Sequence, residues 1–243
     1  MVVPTKGCKA IFFDLDGTLR HTVPLGSDIF TEKAIELGLP ISEEKQRETG
    51  RWEHYYWAQS SELMRDTAKF KDDQNDHAFW NNYAQLRLEK LGATPEQIET
   101  FYPLINKHMM NEYDPKNWVP PELFEVLPAL RIAGYTLAVL SNRRSPFMET
   151  MVELSLDQYF DQIMAAGDIG SWKPDPKVFD QLLAEFNLAP EETIYIGDNY
   201  YADVVGARNA GLIPILYDPR GIFPDADCTR ITSFTELADI LQS

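Results

Sequence analysis

Residues 10–19 read Ala10-Ile11-Phe12-Phe13-Asp14-Leu15-Asp16-Gly17-Thr18-Leu19. An apolar run of strand-forming residues drives straight into two aspartates at i and i+2, followed by a glycine and a threonine. A buried strand that ends in carboxylates puts negative charge where burial is costly unless a cation or a reaction compensates it. Taken alone, the stretch also fits an Asp-Gly turn after an ordinary strand. The rest of the chain decides between the two.

From residue 120 onward, helical patterns alternate with short apolar strands. Leu123, Phe124, Leu127 and Leu130 form a helix stripe, and Val178, Phe179, Leu182, Leu183 and Phe186 form another. Further helices are predicted over 146–154, 201–210 and 235–241, and strands over 136–140, 162–165, 193–196, 213–216 and 230–232. Near-continuous apolar strands alternating with helices predict an α/β fold, a Rossmann-like parallel sheet with helices on both faces.

The segment between the first strand and this region has a different character. Helices are predicted over 27–37, 42–48 (ending near Gly50), 52–70, 76–91 and 94–112, with Thr94, Pro95 and Gln97 placed as N-cap, N1 and N3. A crossover between parallel neighbours needs about a dozen residues or more, usually one helix. The far longer segment here is read as an inserted all-helical cap domain that starts beside the two aspartates. The expected organisation is a core of residues 1–19 and 114–243 and a cap, or lid, of residues 20–113.

Three strands end in polar residues, at Asp14, at Ser141-Asn142 and at Gly197-Asp198-Asn199. Ligands of open α/β sheets bind beyond the carboxyl ends of the strands, so these residues are expected on one rim. Carboxylates from two strands suit a hard cation such as Mg²⁺. Lys173, followed by Pro174-Asp175-Pro176 before a predicted helix, would supply positive charge beside an acidic, anion-binding site.

The formal net charge of −16 disfavours nucleic acid and anionic membrane as partners. Two cysteines, Cys8 and Cys228, lie far apart outside any metal-ligand spacing, and residues 1–6 lack a signal-peptide pattern. A soluble, cytoplasmic monomer or homodimer is expected.

Together these motifs identify a resemblance. The chain resembles the haloacid-dehalogenase-like hydrolases, in the phosphatase branch with a helical cap between the first and second motifs. Asp14-Leu15-Asp16-Gly17-Thr18 matches the first motif, Ser141-Asn142 the second, and Lys173-Pro174-Asp175-Pro176 the third. Gly197-Asp198-Asn199-Tyr200-Tyr201-Ala202-Asp203, with Gly206-Ala207 and Ala210-Gly211, matches the fourth. The resemblance implies a Mg²⁺-dependent phosphatase of a small phosphorylated metabolite. Asp14 would be the nucleophile, Asp16 the general acid and base, and Asp14, the Asp16 carbonyl and Asp198 the metal ligands. Thr18, Ser141 and Lys173 would hold phosphoryl oxygens, helped by backbone amides near Asn142. Asp203 would accept from metal-bound water or brace Lys173, or serve only the helix face. An acid at Asp16 favours an alkoxide over a halide leaving group, because halide needs no proton.

Several signals stay open at this level. His21 stands where relatives often carry an acid, either solvated at the cap hinge or touching substrate. Arg51 is a substrate-contact candidate. Trp52, Tyr55, Tyr56 and Trp57 either pack the cap core or stack on a base or sugar. Arg143 and Arg144 either meet a second anionic group or lie in a solvated loop. The rival readings are a phosphomutase and a catalytically idle binding or regulatory protein on the same fold.

Overall fold

The computed structural model describes residues 7–72 and 76–241, so residues 1–6 lie outside the described residues. Strand β1 (Ala10–Phe13) is followed by β2 (His21–Val23) and five helices. These are α1 (Gly26–Glu36), α2 (Glu43–Trp57), α3 (Ser61–Lys69), α4 (His77–Lys90) and α5 (Pro95–Asn111), after which the chain returns through β3 (Lys116–Trp118). Next come α6 (Leu123–Ile132), β4 (Thr136–Ser141), α7 (Met148–Glu153), β5 (Gln162–Ala165), α8 (Ala166–Ile169) and α9 (Pro176–Phe186). The chain closes with β6 (Thr193–Gly197), α10 (Gly206–Asn209), β7 (Ile213–Tyr217), β8 (Thr229–Ile231) and α11 (Leu237–Leu241). Two compact units result, one of residues up to 21 and from 117 onward, the other Thr22–Lys116.

The first unit holds a six-stranded parallel sheet in the order β5-β4-β1-β6-β7-β8. Alternate side chains of β1 feed two separate cores, which is why the strand is apolar throughout. Ile11 and Phe13 pack with Leu123, Leu127 and Leu130 of α6 and with Phe234. Ala10 and Phe12 point to the other face, among Val178, Phe179, Leu182 and Leu183 of α9. All four β1 residues are fully buried, and each Phe contributes roughly 1.5–3 kcal/mol by leaving water. In register, Phe13 lies between Val139 of β4 and Ile196 of β6. That alignment brings the carboxyl ends of three strands level, and with them Asp14, Ser141 and Asp198.

The helical unit has its own core, formed by Phe30, Ala34, Leu88, Phe101 and Ile105 among others. Thr94 and Gln97 complete the capping box expected at the start of α5. The break expected near Gly50 is absent: α2 runs through that glycine to Trp57. A mid-helix glycine costs only about 1 kcal/mol, less than the packing of this helix returns. The chain instead breaks at Gln59, where φ is +56°, and Ser60 restarts it as the N-cap of α3 by accepting from the Leu63 N–H. The aromatic residues of α2 pack within this unit. Tyr56 is fully buried and donates to Asp66, and Trp52 stacks on Tyr83 at 5.8 Å. Tyr55 and Trp57 keep part of their surface exposed.

The helix expected over 201–210 is two helices, a π-helix at Tyr200–Val205 and then α10. Asn199 caps the first, its side chain accepting from the N–H groups of Tyr201 and Ala202. Wide π turns are frequent at functional sites. This one carries Asp203 inward. No helix among the described residues is long and apolar enough to cross a membrane.

Candidate active site

Asp14 follows β1 directly. Its N–H donates to the Ile196 carbonyl at 2.9 Å, continuing the ladder onto β6, so the carboxylate is fixed by the sheet itself. Lys173 reaches it from the loop before α9, with Nζ 2.6 Å from Asp14 Oδ1, 2.7 Å from Asp203 Oδ1 and 2.8 Å from the Tyr195 hydroxyl. An ammonium has three donors, and all three are engaged. Tyr195 in turn donates to the Leu140 carbonyl.

Asn142 holds this lysine. Its Nδ2 donates to the Lys173 carbonyl at 2.9 Å and its Oδ1 accepts from the Lys173 N–H at 2.8 Å. The Asn142 side chain therefore works on the lysine loop. Asp175 caps α9 and Pro176 occupies its first turn, which fixes the other end of that loop.

Asp198 ends β6. Thr18 Oγ1 donates to its Oδ1 at 3.2 Å and accepts from its N–H at 3.0 Å, so the Thr18 hydroxyl is spent on Asp198. Gly17, at φ +94°, lies so close that a Cβ there would fall 2.6 Å from Asp198 Cγ. Only glycine permits both that backbone conformation and that approach. Gly197 makes a similarly close approach to Asp203, whose Cβ would lie 2.6 Å from an added methyl. Ser141 is buried at the end of β4.

Carboxylate oxygens of Asp14, Asp198 and Asp203 lie within 4.8 Å of one another. One ammonium thus serves two buried carboxylates, Asp14 and Asp203, with a third, half-buried Asp198, beside them. Burial pushes Asp14 up to about 7, with Lys173 pulling down and Asp203 pushing up. Burial, with the nearby Asp14 and Asp203 charges, raises Asp198 well above the usual carboxylate range. Burial works against charged Lys173, but Asp14 and Asp203 outweigh it and raise its pKa. The excess negative charge and the all-oxygen donor set fit a hard divalent cation. Asp14 and Asp198 are the better ligands, because both oxygens of Asp203 are engaged, Oδ1 by Lys173 and Oδ2 by the Asn199 N–H, whereas Lys173 takes only Oδ1 of Asp14.

Asp16, two residues on, is held by two arginines. Arg143 Nε and Nη2 bind its Oδ2 and Oδ1 at 2.8 and 2.9 Å, and Arg20 Nη1 adds a bond to Oδ1 at 2.7 Å. Burial alone would raise its pKa, but the Arg143 and Arg20 contacts hold it below the ordinary value. His21 is packed, with Nε2 3.1 Å from the Thr18 carbonyl and its ring against Trp118 and Tyr217. Arg51 belongs to α2 of the helical unit.

The structure thus gathers Asp14, Ser141, Asn142, Lys173, Asp198, Thr18 and Asp203 at one rim of the sheet. Three contributors were not singled out from sequence for the roles they take here. Tyr195 betrays itself only as a phenol inside an otherwise aliphatic strand. Arg20 lies four residues beyond Asp16, and Arg143 follows Ser141-Asn142, but nothing in the sequence pairs either with Asp16.

Comparison with known proteins agrees with this architecture. The family model for haloacid dehalogenase-like hydrolases matches residues 11–216, and the chain belongs to that family. It is similar to glyceraldehyde 3-phosphate phosphatase of Pyrococcus furiosus, with 35% identity over 96% of this chain and 93% of that protein. It also resembles phosphoserine phosphatase of Thermus thermophilus, with 28% identity over 89% and 91% of the two chains. Among solved structures, 2-haloacid dehalogenase from Pseudomonas syringae aligns with a TM-score of 0.55 and 25% identity, over 97% of this chain and 98% of that one.

Proposed function

We propose that this chain is a Mg²⁺-dependent phosphoric monoester hydrolase that acts on a small phosphorylated metabolite through an aspartyl-phosphate intermediate. The observation that carries the reading is the placement of Asp14. It is a buried carboxylate at the end of the central strand, with Lys173 on Oδ1 and no hydrogen-bond partner on Oδ2 among the described residues. The names of the similar phosphatases support the same reaction class.

Asp14 attacks phosphorus, and the bond from phosphorus to the leaving oxygen breaks with its electron pair moving to that oxygen. Asp16, ionised in the free protein, takes up the proton that the phosphate monoester brings and passes it to that oxygen, so the alcohol departs and Asp14 carries the phosphoryl group. In the second half Asp16 takes a proton from water, and the water oxygen attacks phosphorus. The acyl-phosphate bond then breaks, which releases phosphate and restores the Asp14 carboxylate. Because every Lys173 donor is engaged, the lysine exchanges its Asp14 contact for a phosphoryl oxygen as the nucleophile moves onto phosphorus. Ser141 and backbone N–H groups at the strand ends supply further donors to those oxygens. Asp14, Asp198 and the Asp16 carbonyl would hold Mg²⁺, which when bound offsets charge between nucleophile and phosphate and stabilises the transferring group. Thr18 orients Asp198, and Asp203 with Tyr195 orients Lys173. The helical unit is the source of substrate selectivity in this reading, with Arg51 its candidate contact.

Release of inorganic phosphate from 4-nitrophenyl phosphate at saturating Mg²⁺ tests the assignment. Asp14→Asn is expected to abolish turnover while leaving the fold intact. Unchanged turnover in that variant would remove both the nucleophile and the enzyme reading.

A further inference from the structure

Two arginines converge on Asp16, and neither is loose. Arg143 grips the carboxylate fork to fork, its Nη1 donates to Thr150 Oγ1 at 3.2 Å, and its guanidinium lies over the Phe147 ring at 5.3 Å. Arg20 adds its own bond to Oδ1, and its Nε donates to Asn117 Oδ1 at 2.7 Å. The pair is therefore a built clamp in which each guanidinium is held by a second partner.

The bond count gives the clamp a direction. A carboxylate offers about four lone-pair sites, two on each oxygen. Oδ1 accepts from both arginines, and Oδ2 accepts only from Arg143 Nε, so among the described residues the open site is on Oδ2. We propose that Arg143 and Arg20 are positioning residues that hold the Asp16 carboxyl group in one orientation and make Oδ2 the oxygen that exchanges the proton in both halves of the reaction. The proposal rests on the assignment of Asp16 as the acid and base. In the first half the proton passes from Oδ2 to the leaving oxygen as its bond to phosphorus breaks; in the second it passes from water to Oδ2 as the water oxygen bonds to phosphorus.

Without the clamp the carboxyl group rotates about χ2, and its open site is no longer aimed. A planar guanidinium fixes such a plane through two parallel bonds, whereas a lysine ammonium in its place is a point charge. The penalty falls on the proton transfer and leaves binding alone. Poor leaving groups, which need the proton most, suffer most.

The test is steady-state kinetics at saturating Mg²⁺ on substituted phenyl phosphates, from 4-nitrophenyl to 4-methoxyphenyl phosphate. The proteins compared are the parent, Arg143→Ala, Arg143→Lys, Arg20→Met and Asp16→Ala. Arg143→Ala is expected to lose about 10²-fold in kcat/KM, which reports departure of the leaving group, on the poorest leaving group, the scale of a misplaced acid. Its loss on 4-nitrophenyl phosphate is expected to be several times smaller, with KM nearly unchanged throughout. Arg143→Lys is expected to recover little of the loss, and Arg20→Met to show the same pattern more weakly. An equal loss in kcat/KM across the series, an effect confined to KM, or full recovery with lysine would overturn the proposal. Asp16→Ala separates the two levels: if its leaving-group dependence is no steeper than the parent's, the acid assignment fails and the clamp with it. If it shows a strong dependence while Arg143→Ala parallels the parent, only the clamp fails. Should Arg143→Ala not fold, Arg143→Lys and Arg20→Met, which keep long side chains, decide by the same criteria.

Discussion

Replacing Lys173 with Met keeps the length of the side chain and removes its charge. Met fills the space without strain, so the effect is electrostatic. The lysine is 2% exposed and Asp203 1%, so water does little to screen the change. Two charge-assisted bonds to carboxylates are lost, at about 1.5–3 kcal/mol each. Breaking a buried ion pair from one side costs about 3–5 kcal/mol, which agrees with that sum. The sign of the pH dependence follows from linkage. In the variant, buried Asp14 has lost its cation, so its folded-state pKa, already pushed up to about 7, rises further above the unfolded value. A carboxyl group raised in this way binds its proton more tightly in the folded state, so stability falls as pH rises from the unfolded pKa toward the folded one. The deficit is therefore expected to be larger at pH 8 than at pH 5. Amide hydrogen exchange of the β1 and β6 ladders in metal-free protein reads the loss in this unit alone, which matters because two units need not unfold together. A deficit below about 1 kcal/mol at pH 8, against the 3–5 expected for a broken buried pair, would refute the reasoning. So would a deficit that grows on acidification.

Two further outcomes follow from the same cluster. Gly17→Ala places a methyl against the Asp198 carboxylate at a backbone φ of +94°. It is expected to weaken Mg²⁺ binding in calorimetry and to cut kcat by about 10²-fold, the usual cost of a 1 Å displacement, and an unchanged Mg²⁺ affinity would contradict it. Separately, Asp14 is pushed up to about 7 and Asp198 is raised by burial. In the metal-free protein these groups cost nothing at pH values below the unfolded carboxylate pKa, and the cost grows as pH rises toward 7. Protons and Mg²⁺ compete for the same oxygens, so Mg²⁺ is expected to raise the Tm more at pH 8 than at pH 5.5. Equal increments at the two pH values would contradict that account.

The fold was largely legible because the sheet strands are buried on both faces. Ile11 and Phe13 serve one core, Ala10 and Phe12 the other, so the chain shows unbroken apolar runs at helix-separated intervals. The acidic rim was legible because Asp14 and Asp198 follow such runs at once. Helix ends were less so. Gly50 looks like a terminator by propensity, yet packing carries α2 through it, and the actual break depends on Gln59 adopting a positive φ. Long-range side-chain pairings were not legible. Arg143 and Asp16 are 127 residues apart, and only the fold brings them together. The same holds for Asn142 and Thr18, whose side chains are committed to Lys173 and Asp198 and are not free.

The central claim is that Asp14 carries the phosphoryl group during turnover. Rapid acid quench of the Mg²⁺-loaded enzyme turning over 4-nitrophenyl phosphate, followed by peptide mass spectrometry, tests it most directly. One phosphoryl adduct on the peptide containing Asp14, absent in Asp14→Asn, is the expected result. Turnover with no adduct at Asp14, or with an adduct on another residue, would contradict the account.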